Sequence, residues 1–313
     1  MRIRVGFIGN GRGWEVWRRL CTLPSVEVVG GWISPPPPPA PAASLPRLDG
    51  LEGMLRQVDA VVMAVPIEER FALLRQVLRQ QLPCWVEAPI GRTWDEVRQV
   101  VALVEESGVC LLPLHELLFH PITRGLRERW RAPQMLELRC ELPVRSRQPL
   151  PVLAEEWLYP NLALLVGLVS VSVHGVEIVQ VSVSGLHPEP DALEVRLRFE
   201  NGLPARLWVS RLGFAFVHEL RCYLPALLGR ADFAAGLLEW RRLHPRSDLE
   251  ALNVLEEQPR LSEVDPLQAS LEAFLEAVHR NQDPPVSVYD AALVYQVFHQ
   301  VMEKTRAHGI FGF

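Results

Sequence analysis

Apolar residues in the first ~115 positions come in short blocks separated by amphipathic stretches, the pattern that builds a parallel sheet with crossover helices. Ile3–Ile8, Val26–Ile33, Asp59–Val65, Cys84–Val86 and Val109–Leu114 read as five strands. Trp14–Leu23 suits a helix after the first. Pro66 opens a helix that runs through Arg79, a proline being tolerated where the first N–H has no helical acceptor. Trp94–Ser107 places Val97, Val100, Val101 and Val104 on one helical face, and Gly108 ends it.

The period then changes. Leu136, Leu138, Cys140 and Leu142 alternate with polar residues, as do Leu193, Val195, Leu197 and Phe199. Asn201-Gly202 turns the chain toward Ala205–Ser210, because both residues tolerate positive φ. Helices over Leu267–Arg280 and Tyr289–His308, the latter stopped by Gly309, close the sequence. These patterns predict an α/β protein: a doubly wound parallel sheet over residues 1–118, then an α+β domain with a large, mostly antiparallel open sheet over 119–313. Pro35–Pro39, with Pro41 and Pro46, reads as a stiff surface connector.

One stretch tests this picture. Trp157–Val176 has no charged residue, setting His174 aside, and that length can cross a bilayer. It contains Pro160, Asn161, Gly167 and Gly175, however, and Val169–Val173 alternates like a strand. A buried helix followed by a buried strand is the expectation, with no membrane span.

Composition narrows the function. The 313 residues are 49% hydrophobic and 22% charged, with net charge −5. Lys304 is the only lysine beside 31 scattered arginines, so no concentrated basic face exists for nucleic acid. Cys21, Cys84, Cys110, Cys140 and Cys222 lie too far apart for a zinc site or disulfide framework and suit a reducing compartment. Met1 leads almost at once into core sequence without a signal peptide, so a cytoplasmic location is expected.

Several segments, in order, carry a family resemblance. They are the Gly9–Gly13 turn, Val61-Val-Met-Ala-Val-Pro66, Val86-Glu-Ala-Pro89, Arg198-Phe-Glu-Asn-Gly202 and Leu271-Glu-Ala-Phe-Leu-Glu-Ala-Val278. Together they resemble the glucose–fructose oxidoreductase/inositol dehydrogenase (Gfo/Idh/MocA) family over nearly the whole chain. The resemblance implies a Rossmann domain that binds NAD(P), a second domain whose open sheet lies beside the nicotinamide, a small-molecule substrate, and a homodimer through that sheet. Val26–Ser34, Leu111–Arg127, Trp157-Leu-Tyr159 and Gly213–His218 are similar to the biliverdin reductase branch, which implies a conjugated linear tetrapyrrole as substrate.

The candidate site follows. Backbone N–H groups of Gly9, Asn10, Gly11, Arg12 and Gly13 can approach a pyrophosphate at a helix N-terminus. Trp14 stands where the usual pattern has its third small residue, and should push the helix off the sheet or redirect its first turn. Trp32 and Ser34 occupy the end of the second strand, where NAD enzymes carry an acid for the ribose. With no acid there, Ser34 and Arg12 favour NADP(H) over NAD(H), unless the proline run fills the pocket. The resemblance adds Ala64, Pro66, Glu87 and Pro89 to the cofactor site, and Ala88, Trp157, Tyr159, His218 and Arg221 to the substrate site, with His218 and Arg221 lining the open face.

Position 88 departs from the family. Sugar-oxidising members carry lysine there and biliverdin reductases often tyrosine, whereas Ala88 offers neither charge nor proton. The Asp/His pair of the dehydrogenases is not evident near Pro160–Gly167, where Asn161 sits among leucines. His115 and Glu116, after the fifth strand, are the remaining catalytic candidates, with a structural role for His115 weighed beside a proton-donating one. His120 before Pro121 reads as a loop residue. Two functions stay open: reduction of an easily reduced conjugated substrate, and a non-catalytic paralogue that binds, assembles or regulates, with the cofactor cleft lost.

Overall fold

The computed structural model describes residues 2–9, 13–33, 50–143, 153–169, 175–184, 191–242, 253–258 and 264–307. The chain forms two compact units, residues 1–116 with 265–295, and residues 117–264 with 296–313. This differs from two contiguous blocks divided at residue 118, because a C-terminal segment returns to the first unit.

The first unit holds a five-stranded parallel sheet in the order β2-β1-β3-β4-β5. Its strands are β1 (Ile3–Gly9), β2 (Val26–Ile33), β3 (Ala60–Ala64), β4 (Cys84–Glu87) and β5 (Leu111–Leu114). The helices between them are α1 (Gly13–Thr22), α2 (Gly50–Leu55), α3 (Ile67–Arg79) and α4 (Trp94–Ser107). Val5, Phe7, Ile8 and all of β3 are buried, as expected of parallel strands covered on both faces. Local chemistry fixes the helix ends. The Thr93 hydroxyl accepts from Glu96 N–H at 3.2 Å to start α4, and Gly108, at φ 65°, ends it in the left-handed region that a Cβ disfavours.

α5 (Glu116–Phe119) and α6 (Pro121–Glu128) lead into the second unit, and α8 (Pro266–Arg280) belongs to the first. Asp265 caps α8 by accepting from Leu267 N–H at 3.0 Å, and it also pairs with Arg19 of α1. Trp85 Nε1, buried in β4, donates to Ser270 Oγ at 3.1 Å. These contacts and the buried face Leu271, Phe274 and Leu275 explain why the segment closes the parallel sheet.

The second unit holds an eight-stranded sheet in the order β13-β12-β11-β10-β6-β9-β8-β7. Its strands are β6 (Met135–Pro143), β7 (Val176–Ser184), β8 (Ala192–Phe199), β9 (Pro204–Gly213), β10 (Val217–Leu224), β11 (Leu227–Asp232), β12 (Leu237–Arg242) and β13 (Asn253–Gln258). All neighbours are antiparallel except β6 and β9. Gly202, at φ 81°, makes the β8–β9 turn, with Phe199 N–H bonded to the Leu203 carbonyl. One face is apolar and buried, through Leu136, Leu138, Cys140, Leu197, Leu207 and Leu220.

A π turn (Ala154–Leu158) leads into α7 (Tyr159–Val169), which packs against β9. Leu162 through Val166 are all buried, so the missing charges reflect a core helix. Among the described residues no helix is long and apolar enough to cross a membrane. The strand expected over Val169–Val173 falls almost wholly outside the described residues. The opposite face of the sheet is a lattice of arginines and acids, including Arg139–Glu141, Arg206–Glu194 and Arg198–Glu177. α9 (Val288–Ala307) closes the chain, and its end at His308 and Gly309 lies outside the described residues.

Candidate active site

β1 lies between β2 and β3, so the connections on its two sides leave a crevice at the carboxyl ends of β1 and β3. Gly9, Gly13 and Ala64 meet there. A Cβ at Gly13 would stand 2.8 Å from the Ala64 carbonyl oxygen and 3.2 Å from its Cβ. A Cβ at Gly9 would strike the Phe7 ring and lie 3.2 Å from the same carbonyl. The two glycines therefore let the first turn of α1 lie against the end of β3, which sets a helix N-terminus at the crevice.

The expected displacement of α1 by Trp14 does not occur. Gly13 takes the close-packed position with Val16 and Leu20 on the same buried stripe, and the half-buried Trp14 ring lies 6.4 Å from Phe7. Advancing the small residue by one place rotates the tryptophan off the contact. Trp32 is paired through its backbone with Ile8. Asn10, Gly11, Arg12 and Ser34 lie outside the described residues.

The ends of β3 and β4 are joined by a residue the sequence reading missed. Arg70 of α3 is 5% exposed. It donates to the Val65 carbonyl at 2.7 Å, the Pro89 carbonyl at 2.6 Å and Glu87 Oε2 at 3.1 Å. A signal was available: Arg70, Leu73, Leu74, Val77 and Leu78 form the buried stripe of α3, so an arginine occupies a core-facing register. Ala88 is half-buried between Glu87 and Pro89, follows β4 directly, and is joined to Pro89 by a cis peptide bond. Pro66 caps the start of α3 and is exposed.

His115 is buried directly after β5. Loss of solvent pulls its pKa down to about 4, against a smaller upward pull from Asp290, so the ring is neutral at pH 7. Glu116 keeps solvent contact, yet its carboxyl is shifted upward by desolvation first, then by Asp265 and Glu15, with Arg19 opposing. Its electrostatic neighbours are thus the residues where α1 meets α8.

In the second unit, His218 and Asn161 form a buried pair. Asn161 Nδ2 donates to the Trp157 carbonyl at 2.7 Å, which leaves Oδ1 to accept from His218 Nε2 at 2.7 Å. Burial, then the nearby His120, lowers the His218 pKa to about 4, with Asp232 opposing. The ring is therefore neutral, with its proton on Nε2. Phe233 lies between the two histidines, 5.0 Å from His218 and 5.2 Å from His120. The half-buried Trp157 ring meets Phe216 edge-on at 5.5 Å. The sequence showed Asn161 only as an isolated polar residue, since its partner is 57 positions away.

The expected shared face of His218 and Arg221 is not observed. His218 and Arg221 lie on opposite faces of β10, because residues three apart on a strand cannot share one. His218 faces the core opposite Cys140, whereas Arg221 points outward and pairs with Glu219. Arg221 lines a depression of about 410 Å³ with Glu137, Arg139, Glu141, Arg206 and Trp208. Tyr159 is buried against the Phe298 ring at 5.5 Å. His120 caps α6, its Nδ1 accepting from Ile122 N–H at 3.2 Å. Among the described residues no cluster of histidine, cysteine and carboxylate could hold a metal ion.

A parallel sheet with glycines at its switch point is the architecture of dinucleotide-binding domains, and here a second, mostly antiparallel sheet follows it in the chain. Residues 3–115 match the Gfo/Idh/MocA family, described as an oxidoreductase family with an NAD-binding Rossmann fold. A UDP-N-acetylglucosamine 3-dehydrogenase from Acidithiobacillus ferrooxidans is 23% identical over 231 residues, 73% of this chain and 72% of that protein. A structure of that enzyme superposes with a TM-score of 0.83 at 21% identity over 97% of both chains. A dehydrogenase from Clostridium difficile gives 0.82 at 12% identity, over 97% of this chain and 99% of its own. At these identities the structural likeness is one of fold.

Proposed function

We propose that the protein is an NAD(P)H-dependent oxidoreductase that prefers NADP(H) and acts on a small molecule. The observation that carries this reading is the close approach of Gly9 and Gly13 to Ala64 at the switch point, a packing of the first turn of α1 on β3 that any Cβ would break. Gly9 to Gly13 and Ala64 would hold the pyrophosphate side of the cofactor, with Pro66 and the Glu87–Pro89 turn at its nicotinamide side. The bound nicotinamide supplies or accepts hydride. The preference for NADP(H) is supported by the end of β2, where Ile33-Ser34 brings no carboxylate for a ribose hydroxyl. Titrating NADPH and NADH against tryptophan fluorescence tests this assignment, and tighter NADH binding overturns it.

Position 88 supports reduction over sugar oxidation. Oxidising an alcohol requires removal of its hydroxyl proton, but Ala88 cannot take one and a histidine with pKa about 4 is a poor base at pH 7. A conjugated acceptor such as a linear tetrapyrrole needs hydride, with its proton taken from water. The sugar nucleotide named for the Acidithiobacillus relative is the contrasting substrate. NADPH consumption with biliverdin, compared with NADP+ reduction by UDP-N-acetylglucosamine, separates them.

A second reading is a non-catalytic binding protein, favoured by the absence of an acid–base group at position 88. It requires turnover to be absent on both substrates. The charged outer face of the second sheet, with arginines and acids interleaved, is the proposed homodimer surface. Light scattering at micromolar concentration checks it.

A further inference from the structure

We propose that Arg70 is the positioning residue of the dinucleotide site, holding the Glu87–Ala88–Pro89 turn where it can receive the ligand. The inference rests on the nicotinamide-dinucleotide reading and adds a residue to it. Arg70 is fixed from below, on the buried stripe of α3. Its guanidinium reaches two main-chain carbonyls, Val65 after β3 and Pro89 after β4, and one carboxylate, Glu87 at the end of β4. β3 and β4 are adjacent, so one planar cation ties together two neighbouring loops on the carboxyl edge of the sheet.

The geometry is specific to arginine. Three acceptors from two loops match the fork of a guanidinium, whereas an ammonium satisfies them from a single point. The charge matters as well. Glu87 is only partly buried, its side chain 31% exposed, and without a counter-ion it would set a negative charge at an edge proposed to take a polyanionic cofactor. Arg70 pairs with that carboxylate and offsets its charge. Because an arginine stays protonated at any physiological pH, the arrangement supplies position and charge without a proton-transfer group. Ala88, between the two tethered residues, is thereby held without a functional side chain of its own.

The test uses the full-length protein with Arg70→Met, Arg70→Lys and the milder Glu87→Gln. NADPH and NADH affinities are measured by tryptophan fluorescence well below each variant's Tm, so that stability loss and binding loss are read separately. Arg70→Met is expected to weaken both dinucleotides ~10–100-fold with their ratio unchanged, as for loss of a charge-assisted contact set. Arg70→Lys should recover only part of this, and Glu87→Gln should lose only a few-fold. Unchanged affinity in Arg70→Met, or full recovery in Arg70→Lys, overturns the positioning role. Should Arg70→Met fail to fold, unchanged affinity in Glu87→Gln does the same. Should the wild type bind neither dinucleotide, the dinucleotide reading itself fails. Amide exchange over residues 84–92 then decides whether Arg70 fixes the turn: faster exchange in Arg70→Met supports it, and unchanged exchange refutes it.

Discussion

Gly13→Ala and Gly53→Ala make the same chemical change with opposite expected outcomes. At Gly13 the new methyl would lie 2.8 Å from the Ala64 carbonyl oxygen, a main-chain atom that cannot rotate away, and 3.2 Å from the Ala64 Cβ. The first turn of α1 must then move off β3, and overpacking of this kind costs about 1–3 kcal/mol. Gly13 is the first residue of α1, so little helix propensity is regained. At Gly53, inside α2, a Cβ meets nothing within 4 Å and φ is not positive, so replacing glycine should stabilise by ~0.5–1 kcal/mol. With a Tm response of roughly 2–4 °C per kcal/mol, Gly13→Ala should melt about 2–12 °C lower and Gly53→Ala about 1–4 °C higher. Far-UV circular dichroism on heating reads both. Dinucleotide affinity should fall in Gly13→Ala alone. Equal melting temperatures for Gly13→Ala and wild type would refute the close approach on which the site is built.

Acid should destabilise the protein well above the carboxylate range. His115 and His218 have folded pKa values lowered to about 4, so below their ordinary value of 6.5 the unfolded chain binds protons first. Their contribution is complete above pH 6.5 and is lost as pH falls toward 4, at ~2 kcal/mol per histidine between pH 7 and 5. Urea midpoints at the two pH values measure it, and a flat profile contradicts the burial. His218→Phe should reduce the pH slope while costing stability at pH 7, through the lost bond to Asn161. Gly202→Ala, at φ 81° with open space around it, should destabilise by ~1 kcal/mol through backbone strain alone. Wild-type protein should not oxidise sugars at a useful rate, since loss of a positioned acid–base group costs ~10²–10⁴-fold. Ala88→Lys and Ala88→Tyr, assayed on a sugar panel and on biliverdin, check this, and robust sugar oxidation by the wild type refutes it.

Local signals carried much of the fold. α4 was legible to the residue because its apolar stripe is uninterrupted and Gly108 supplies the left-handed stop. The alternation of β6 and β8 and the Asn201-Gly202 turn identified the second sheet. What stayed hidden depends on distant partners. The return of α8 to the first unit rests on Trp85–Ser270 and Arg19–Asp265, pairs 185 and 246 residues apart. Strands β11 and β12 carry arginines and acids among their less buried positions, which mute the apolar signal. At the site, Gly9 and Gly13 were readable because glycine there answers a backbone need. Arg70 shows in the sequence only through its inward register on α3, and the opposite faces of His218 and Arg221 follow from the period of two along β10.

The central claim is that this chain takes a nicotinamide dinucleotide. Titration of NADPH into the wild-type protein, followed by quenching of tryptophan fluorescence, should give a saturable curve that Gly13→Ala shifts to weaker affinity. No binding by the folded wild-type protein at millimolar NADPH or NADH would contradict it.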